Sequence, residues 1–157
     1  MPSDKSVVIT PGGLLRHWQG HRALTRRVIQ AFPDDALFQF SIGGMRPFAE
    51  LASEMIRLAE AGMSGLTTGN WDVEVPAGDS RSELLELWDH TTDTINRTWP
   101  ELPPDCFQKT HLAFGQWETS GQNHVFYWID NEVHHRGQGY VYLRALGIEP
   151  PPFYERG

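Results

Sequence analysis

A proline-free stretch between Ser120 and Gly147 limits the folds open to this chain more than any other feature. Ser120 is a favourable N-cap residue, and Gly147, which is soon followed by three consecutive prolines, is a strong stop signal. After Gly121, in the first turn, the only helix breakers before Gly147 are Gly137 and Gly139. The sequence therefore predicts one long helix that ends at about Leu146, and other helices have to cover its apolar side.

Three further helices are predicted upstream, over residues 10–32, 47–62 and 80–99. In each of them apolar residues recur at steps of three and four, which places them on one face of a helix. A proline in the first turn marks the start of the first two helices, and Ser80 with Glu83 forms the capping-box pattern at the start of the third. Prolines follow the first and the third helix and end them.

Long connections separate the predicted helices. Residues 34–46 form a partly apolar link, and residues 101–118 show no sustained period and are predicted as a loop. The chain has 157 residues, which is the length of one ordinary domain. These observations predict an all-α fold, a four-helix bundle with long crossover connections, built as a single domain from residues 1–157.

The charge and the cysteine count exclude several kinds of function. Thirteen Lys and Arg residues against twenty Asp and Glu residues give a formal net charge of -7, which disfavours a surface that tracks nucleic-acid phosphates. The single cysteine, Cys106, can form neither an intramolecular disulfide nor a cysteine-only metal site. No apolar run reaches the roughly 20 residues that span a bilayer. We therefore expect a cytoplasmic protein with no nucleic-acid partner and no membrane partner.

The last predicted helix carries a polar and aromatic stripe. At about 100° per residue, one narrow side of the helix holds His124, Trp128, Asn131, His135, Gln138 and Tyr142. If this side is exposed, it is an ordinary solvated face, which the periodicity alone favours. If it points into the bundle, it lines a polar pocket, which would explain the amphipathic Trp128 and Tyr142. His21, on the apolar stripe of the first helix, could reach such a pocket.

Several short motifs along the chain match one known family. They are the run NEVHHRGQ at residues 131–138, the run GIEPP at residues 147–151 and the run GMRPFAEL at residues 44–51. On these motifs the sequence resembles the DinB/YfiT-like family over nearly its whole length. The resemblance implies a four-helix bundle with a long crossover, a homodimer, and a divalent metal held by three histidines.

The three metal-ligand positions that the resemblance implies are Glu54 on the second helix and Asn131 and His135 on the last. Only His135 keeps the imidazole of the family pattern. Because Asn131 and His135 are four residues apart, they share one face of the helix. We therefore expect these three side chains to approach one another from two helices.

Two kinds of chemistry fit these three side chains. A carboxylate, an amide oxygen and an imidazole can surround a divalent metal, for which nickel, zinc, manganese and magnesium are the candidates. An amide oxygen suits the harder ions better than nickel or zinc. In the alternative, Glu54 bonds directly to His135 and Asn131 satisfies a remaining polar atom, with no metal present. The sequence leaves both arrangements open.

The resemblance also implies two hypotheses for the function. In the first, the chain is a metal-dependent hydrolase or a transferase that uses a small thiol, and a metal activates the bound thiol or water in a pocket between the second and the last helix. In the second, it is a non-catalytic, dimeric, stress-associated or binding protein that has lost the metal triad. Neither hypothesis assigns a catalytic residue, and both leave a small molecule or thiol as the expected ligand.

Overall fold

The computed structural model describes residues 7–157, and this part of the chain is mostly helical. Its elements are α1 (Pro11–Ala31), α2 (Asp34–Gln39), α3 (Phe48–Thr68), α4 (Arg81–Thr98) with a short 3-10 helix at Trp99–Glu101, β1 (Thr110–Ala113), β2 (Trp117–Ser120) and α5 (Gly121–Ala145). The predicted all-α fold class is confirmed. Residues 1–6 of the predicted domain lie outside the described residues. No helix within residues 7–157 is long and apolar enough to cross a bilayer.

Three helices start at the capping signals that the sequence contains. Thr10, Ser80 and Ser120 occupy the N-caps of α1, α4 and α5, and each side chain accepts a hydrogen bond from the backbone N–H three residues later. These bonds satisfy donors that the start of a helix otherwise leaves unpaired. The predicted starts of these helices are therefore confirmed.

The second predicted helix is longer than expected. It continues past Gly62 and ends at Thr68 as α3, so the predicted end is wrong. The reason is tertiary packing, because a Cβ atom on Gly62 would overlap the ring of Trp128, and one on Gly65 would overlap the ring of Trp71. At both glycines an indole ring packs directly on the helix backbone. The apolar surface that these rings bury offsets the low helix propensity of glycine.

Two of the predicted connections contain regular structure. Residues 34–39 form α2, and the antiparallel hairpin of β1 and β2 spans residues 110–120. The loop prediction for this second segment is wrong, since strands of four residues are too short to establish a period. Three residues, 114–116, connect the strands. The backbone N–H of Gln116 donates to the carbonyl of Ala113 and closes a β-turn, and its central residues Phe114 and Gly115 both have positive φ, as a type I′ turn requires.

The long helices pack around two adjoining apolar clusters. α3 and α1 each contact both α4 and α5. One cluster contains Phe48 and Tyr142, and the other contains Trp18 and Trp128. The hairpin contacts α3 through β1 and α5 through β2. It therefore closes one side of the groove between these two helices, where the candidate site lies.

Candidate functional site

The polar stripe of α5 faces the inside of the molecule. His124, Trp128, His135 and Tyr142 are each at most 8% exposed. Asn131 and Gln138 are half-buried. The interpretation of this stripe as a solvated face is therefore wrong, because α5 packs against both α1 and α3 and buries its polar side as well as its apolar side.

Glu54, Asn131 and His135 form one hydrogen-bonded group. Glu54 Oε1 accepts a hydrogen bond from Asn131 Nδ2 at 3.1 Å and another from His135 Nε2 at 3.0 Å. Arg46 Nη2 lies 2.7 Å from Glu54 Oε2 and forms an ion pair with it. Since Glu54 lies on α3 and the two other side chains lie on α5, charge-assisted hydrogen bonds join the two helices here.

His135 uses both of its ring nitrogens. Its Nδ1 lies 3.0 Å from Oε1 of the Gln138 amide, and Nε2 of this amide contacts Met45 Sδ at 3.4 Å. Each ring nitrogen therefore has one side-chain partner, a carboxylate or an amide. No ring nitrogen of His135 is left for a further ligand.

The carboxylate of Glu54 is a fixed negative charge. Burial raises its pKa, but the hydrogen bonds from Asn131, Arg46 and His135, together with the charge of Arg46, outweigh burial and lower the pKa from 4.5 to about 2. A carboxylate with so low a pKa is a weak general base near neutral pH. It is suited to electrostatic pairing rather than to proton transfer.

These side chains fit a divalent metal poorly. Glu54 Oε1 already accepts two hydrogen bonds and Oε2 pairs with the guanidinium of Arg46, so the carboxylate keeps one acceptor position out of about four. A divalent metal needs several free ligand atoms. Asn131 Oδ1 is buried and has no hydrogen-bond partner among residues 7–157, but one amide oxygen is far from a complete ligand set. Within residues 7–157 no group of three His, Cys, Asp or Glu side chains could hold a metal ion. The geometry is that of the direct Glu54–His135 pairing.

A cavity of about 410 Å³ opens beside Glu54, between α3, α5 and the hairpin. Its wall consists of Glu54, Leu58, Ala113, Phe114, Trp117, Thr119, His124, Tyr127 and Trp128. The volume lies within the range of roughly 300–1,000 Å³ that is typical of small-molecule sites. Glu54 thus belongs both to the hydrogen-bonded group and to the wall of the cavity.

The structure brings His124 and Trp128, two of the predicted pocket residues, into this wall. Phe114, Trp117 and Tyr127 also belong to it, and sequence reasoning missed all three. The first two come from the hairpin, and Tyr127 lies beside the polar stripe rather than on it. The available signal was the density of aromatic residues from 114 to 128.

Gln138, Tyr142 and His21 lie outside the wall of the cavity. The side-chain amide of Gln138 contacts Nδ1 of His135 instead of the cavity. The Tyr142 hydroxyl donates a hydrogen bond to the backbone carbonyl of Arg46 at 2.9 Å and so positions the segment that precedes α3. His21 contacts Arg136 instead of the cavity, so the structure does not bring it to the site.

His21 belongs to a separate polar group between α1, α5 and the C-terminal segment. Its Nδ1 lies 2.9 Å from Arg136 Nη2, and its Nε2 lies 3.1 Å from Arg156 Nη1. Burial and the positive charges of Arg136, His17 and Arg156 lower the pKa of His21 from 6.5 to about 4. The folded protein therefore favours the neutral imidazole.

We expect the stability to fall as the pH decreases from 6.5 to about 4, and His21 to cause part of this fall. In this window the unfolded chain binds a proton that the native state does not, because the folded-state pKa is the lower of the two. Urea midpoints at neutral pH and at about pH 5 measure the effect. The fall should be smaller in His21→Asn and unchanged in His90→Asn, at an exposed position of α4. An equal fall in wild type and His21→Asn would contradict this prediction.

Comparisons with known proteins agree with this architecture. The DinB family model matches residues 3–157. A DinB-like protein from Bacillus subtilis is 18% identical with a TM-score of 0.76, over 92% of this chain and 99% of that chain. A DinB-like protein from Bacillus cereus is 18% identical with a TM-score of 0.71, and the match covers 91% of this chain and 97% of that chain. A structure described as a member of the DinB family, from Exiguobacterium sibiricum, is 19% identical with a TM-score of 0.69. The match covers 92% of this chain and 98% of that chain. No curated protein matches the sequence.

Proposed function

Because the chain belongs to the DinB family, a family that is generally metal-associated, we propose that it is a small-molecule-binding member whose site works without a resident divalent metal. The observation that carries this proposal is the pairing of Glu54. Both of its carboxylate oxygens are occupied by donors from the protein itself, where a metal-bound site would need free ligand atoms. The cavity beside this carboxylate is the binding site in this proposal.

The same contacts support binding rather than catalysis. His135 has both ring nitrogens engaged and is not part of the cavity wall. His124, which is part of the wall, has its Nε2 bonded to a backbone carbonyl at 3.0 Å. The wall therefore supplies shape, aromatic surface and the charge of Glu54. Of the two hypotheses drawn from the sequence, these contacts favour the binding protein, while dimer formation and stress association stay predictions.

Metal titration of the wild type and of a metal-restored variant tests the proposal. We expect nickel, zinc, manganese and magnesium to change the unfolding temperature of the wild type by less than about 1 °C. The double variant Glu54→His, Asn131→His presents three imidazoles from two helices. At a free metal concentration about 100 times Kd it should gain roughly 2.7 kcal/mol, or about 5 to 10 °C.

The single variant Glu54→His is the matched control. It removes the carboxylate but leaves Asn131 in place, so it should gain clearly less from the same metals than the double variant. Stabilisation of the wild type by a stoichiometric metal, lost in His135→Ala, would overturn the proposal.

A further inference from the structure

The cavity beside Glu54 combines aromatic surface with a single carboxylate. Four of its wall residues are Phe, Tyr or Trp, and none is Lys or Arg. We propose that its ligand has an apolar body and a positively charged head, as in an alkyl or aryl amine. This inference rests on the proposed function, since it takes the cavity as a binding site and adds the chemical class of the ligand.

The aromatic side chains form a cluster at the cavity. The ring centroid of Phe114 lies 5.7 Å from that of Trp71 and 6.2 Å from that of Trp117. Trp117 and Tyr127 are each 60% exposed, so a ligand can still cover apolar surface on both of them. The faces of aromatic rings carry negative potential and attract cations within about 6 Å of the ring centroid. A cluster of this kind favours a cationic head over an anionic one.

Phe114 is held at the cavity in an unfavourable backbone conformation. Its φ of 53° lies in the left-handed region, which a bulky side chain rarely adopts. Asn, Asp or Gly is the usual residue at this position of a type I′ turn. The turn therefore places an aromatic ring at the cavity at a cost in stability, and such costs concentrate at binding sites.

Glu54 has capacity for a hydrogen-bond donor from a ligand. A carboxylate offers about four acceptor positions, and Asn131, His135 and Arg46 occupy three of them. Arg46 is not among the wall residues, so the wall itself contains no guanidinium group. A ligand ammonium group can take the remaining position. The net charge of -7 also favours the approach of cations.

Three probes with the same phenylbutyl body and different heads test the inference: phenylbutylamine, phenylbutanol and phenylbutanoate. Calorimetric titration of the full chain at neutral pH measures each Kd. We expect the amine to bind about tenfold more tightly than the alcohol, which is what a desolvated cation–π contact can supply. We expect the carboxylate to bind most weakly, because no cationic side chain of the wall can pair with it.

Four single variants separate charge from shape. Glu54→Gln removes the charge and should reduce the advantage of the amine over the alcohol to about threefold. Arg46→Gln removes a competing cation and should strengthen amine binding. Trp117→Ala should weaken all three probes, since it removes apolar wall. Leu112→Ala, at an exposed position of the same hairpin that is not part of the wall, should leave all three unchanged.

The outcomes distinguish this inference from the proposed function. If the three probes bind equally well and Trp117→Ala weakens all of them, the inference is overturned and the proposed function is supported. Tightest binding by the carboxylate would likewise overturn the inference alone. If none of the probes binds, the inference and the proposed function are both overturned.

Discussion

Glu132→Ala should lower the free energy of unfolding by about 3 to 5 kcal/mol, the cost expected when a buried carboxylate is removed and nearby buried cations lose their counter-charge. Glu132 is 2% exposed. It accepts hydrogen bonds from Thr25 Oγ1 at 2.6 Å and from Trp18 Nε1 at 3.3 Å. Burial raises its pKa, and the charges of Arg22 and Arg136 with the two hydrogen bonds offset only part of this rise. Loss of the carboxylate leaves these two guanidinium groups without their buried counter-charge.

Arg22 explains most of this expected cost. It is 1% exposed, and its guanidinium carbon lies 3.9 Å from the ring centroid of Trp88. Thr92 Oγ1 and the Trp88 carbonyl accept hydrogen bonds from it, whereas its Nη1 has no partner in the part of the chain that the structure describes. Burial lowers the pKa of Arg22 from 12.5 to about 10 even though Glu132 opposes the change. Without Glu132, a cation with an unsatisfied donor would remain in the interior.

Urea unfolding followed by circular dichroism measures the effect. Asp130→Ala, at an exposed position of the same helix, is the control and should change the stability by no more than about 0.5 kcal/mol. Glu132→Gln keeps a hydrogen-bond acceptor and removes the charge. Its loss in the free energy of unfolding should therefore lie between the losses in Asp130→Ala and Glu132→Ala. A loss below about 1 kcal/mol in Glu132→Ala would contradict the role of this carboxylate as a counter-charge.

Alanine should have opposite effects at Gly137 and Gly139 of α5. A Cβ atom on Gly139 would lie 2.6 Å from the ring of Phe48, and Phe48 is fully buried, so the overpacking should cost about 1 to 3 kcal/mol. At Gly137 no atom of the described residues lies within 4 Å of such an atom. Gly137→Ala should therefore add about 0.8 to 1.0 kcal/mol through helix propensity alone.

The comparison isolates one contact, because both variants make the same change in the same helix. Thermal and urea unfolding of the two proteins measure the difference, and the propensity contribution largely cancels. Phe48→Leu in the Gly139→Ala background should recover part of the loss, since it makes room for the new methyl group. Equal stability of the two alanine variants would contradict the close approach of Phe48 to α5.

The helices were predictable because their signals are local. Thr10, Ser80 and Ser120 act on backbone groups within the first turn, so the residues that start a helix are adjacent to it in the chain. The end of α3 was not predictable in the same way. The helix passes Gly62 because the ring of Trp128, from a distant part of the chain, packs on the glycine.

The candidate site was predictable in part. The family resemblance selected Glu54, Asn131 and His135, and their contacts in the structure come from two helices as expected. The partner that each atom takes could not be read from the motif. That choice depends on Arg46, whose segment is positioned by a hydrogen bond to Tyr142 from the far end of the chain.

By itself the sequence determined where most helices begin and which residue types stand at the family positions. Only tertiary structure decided which side of α5 faces inward and which rings enclose the cavity. Both sides of α5 carry large residues, so periodicity does not distinguish the buried side. Phe114 and Trp117 reach the cavity only because the hairpin packs against α3 and α5. Such contacts join residues far apart in the chain, and local propensity contains no information about them.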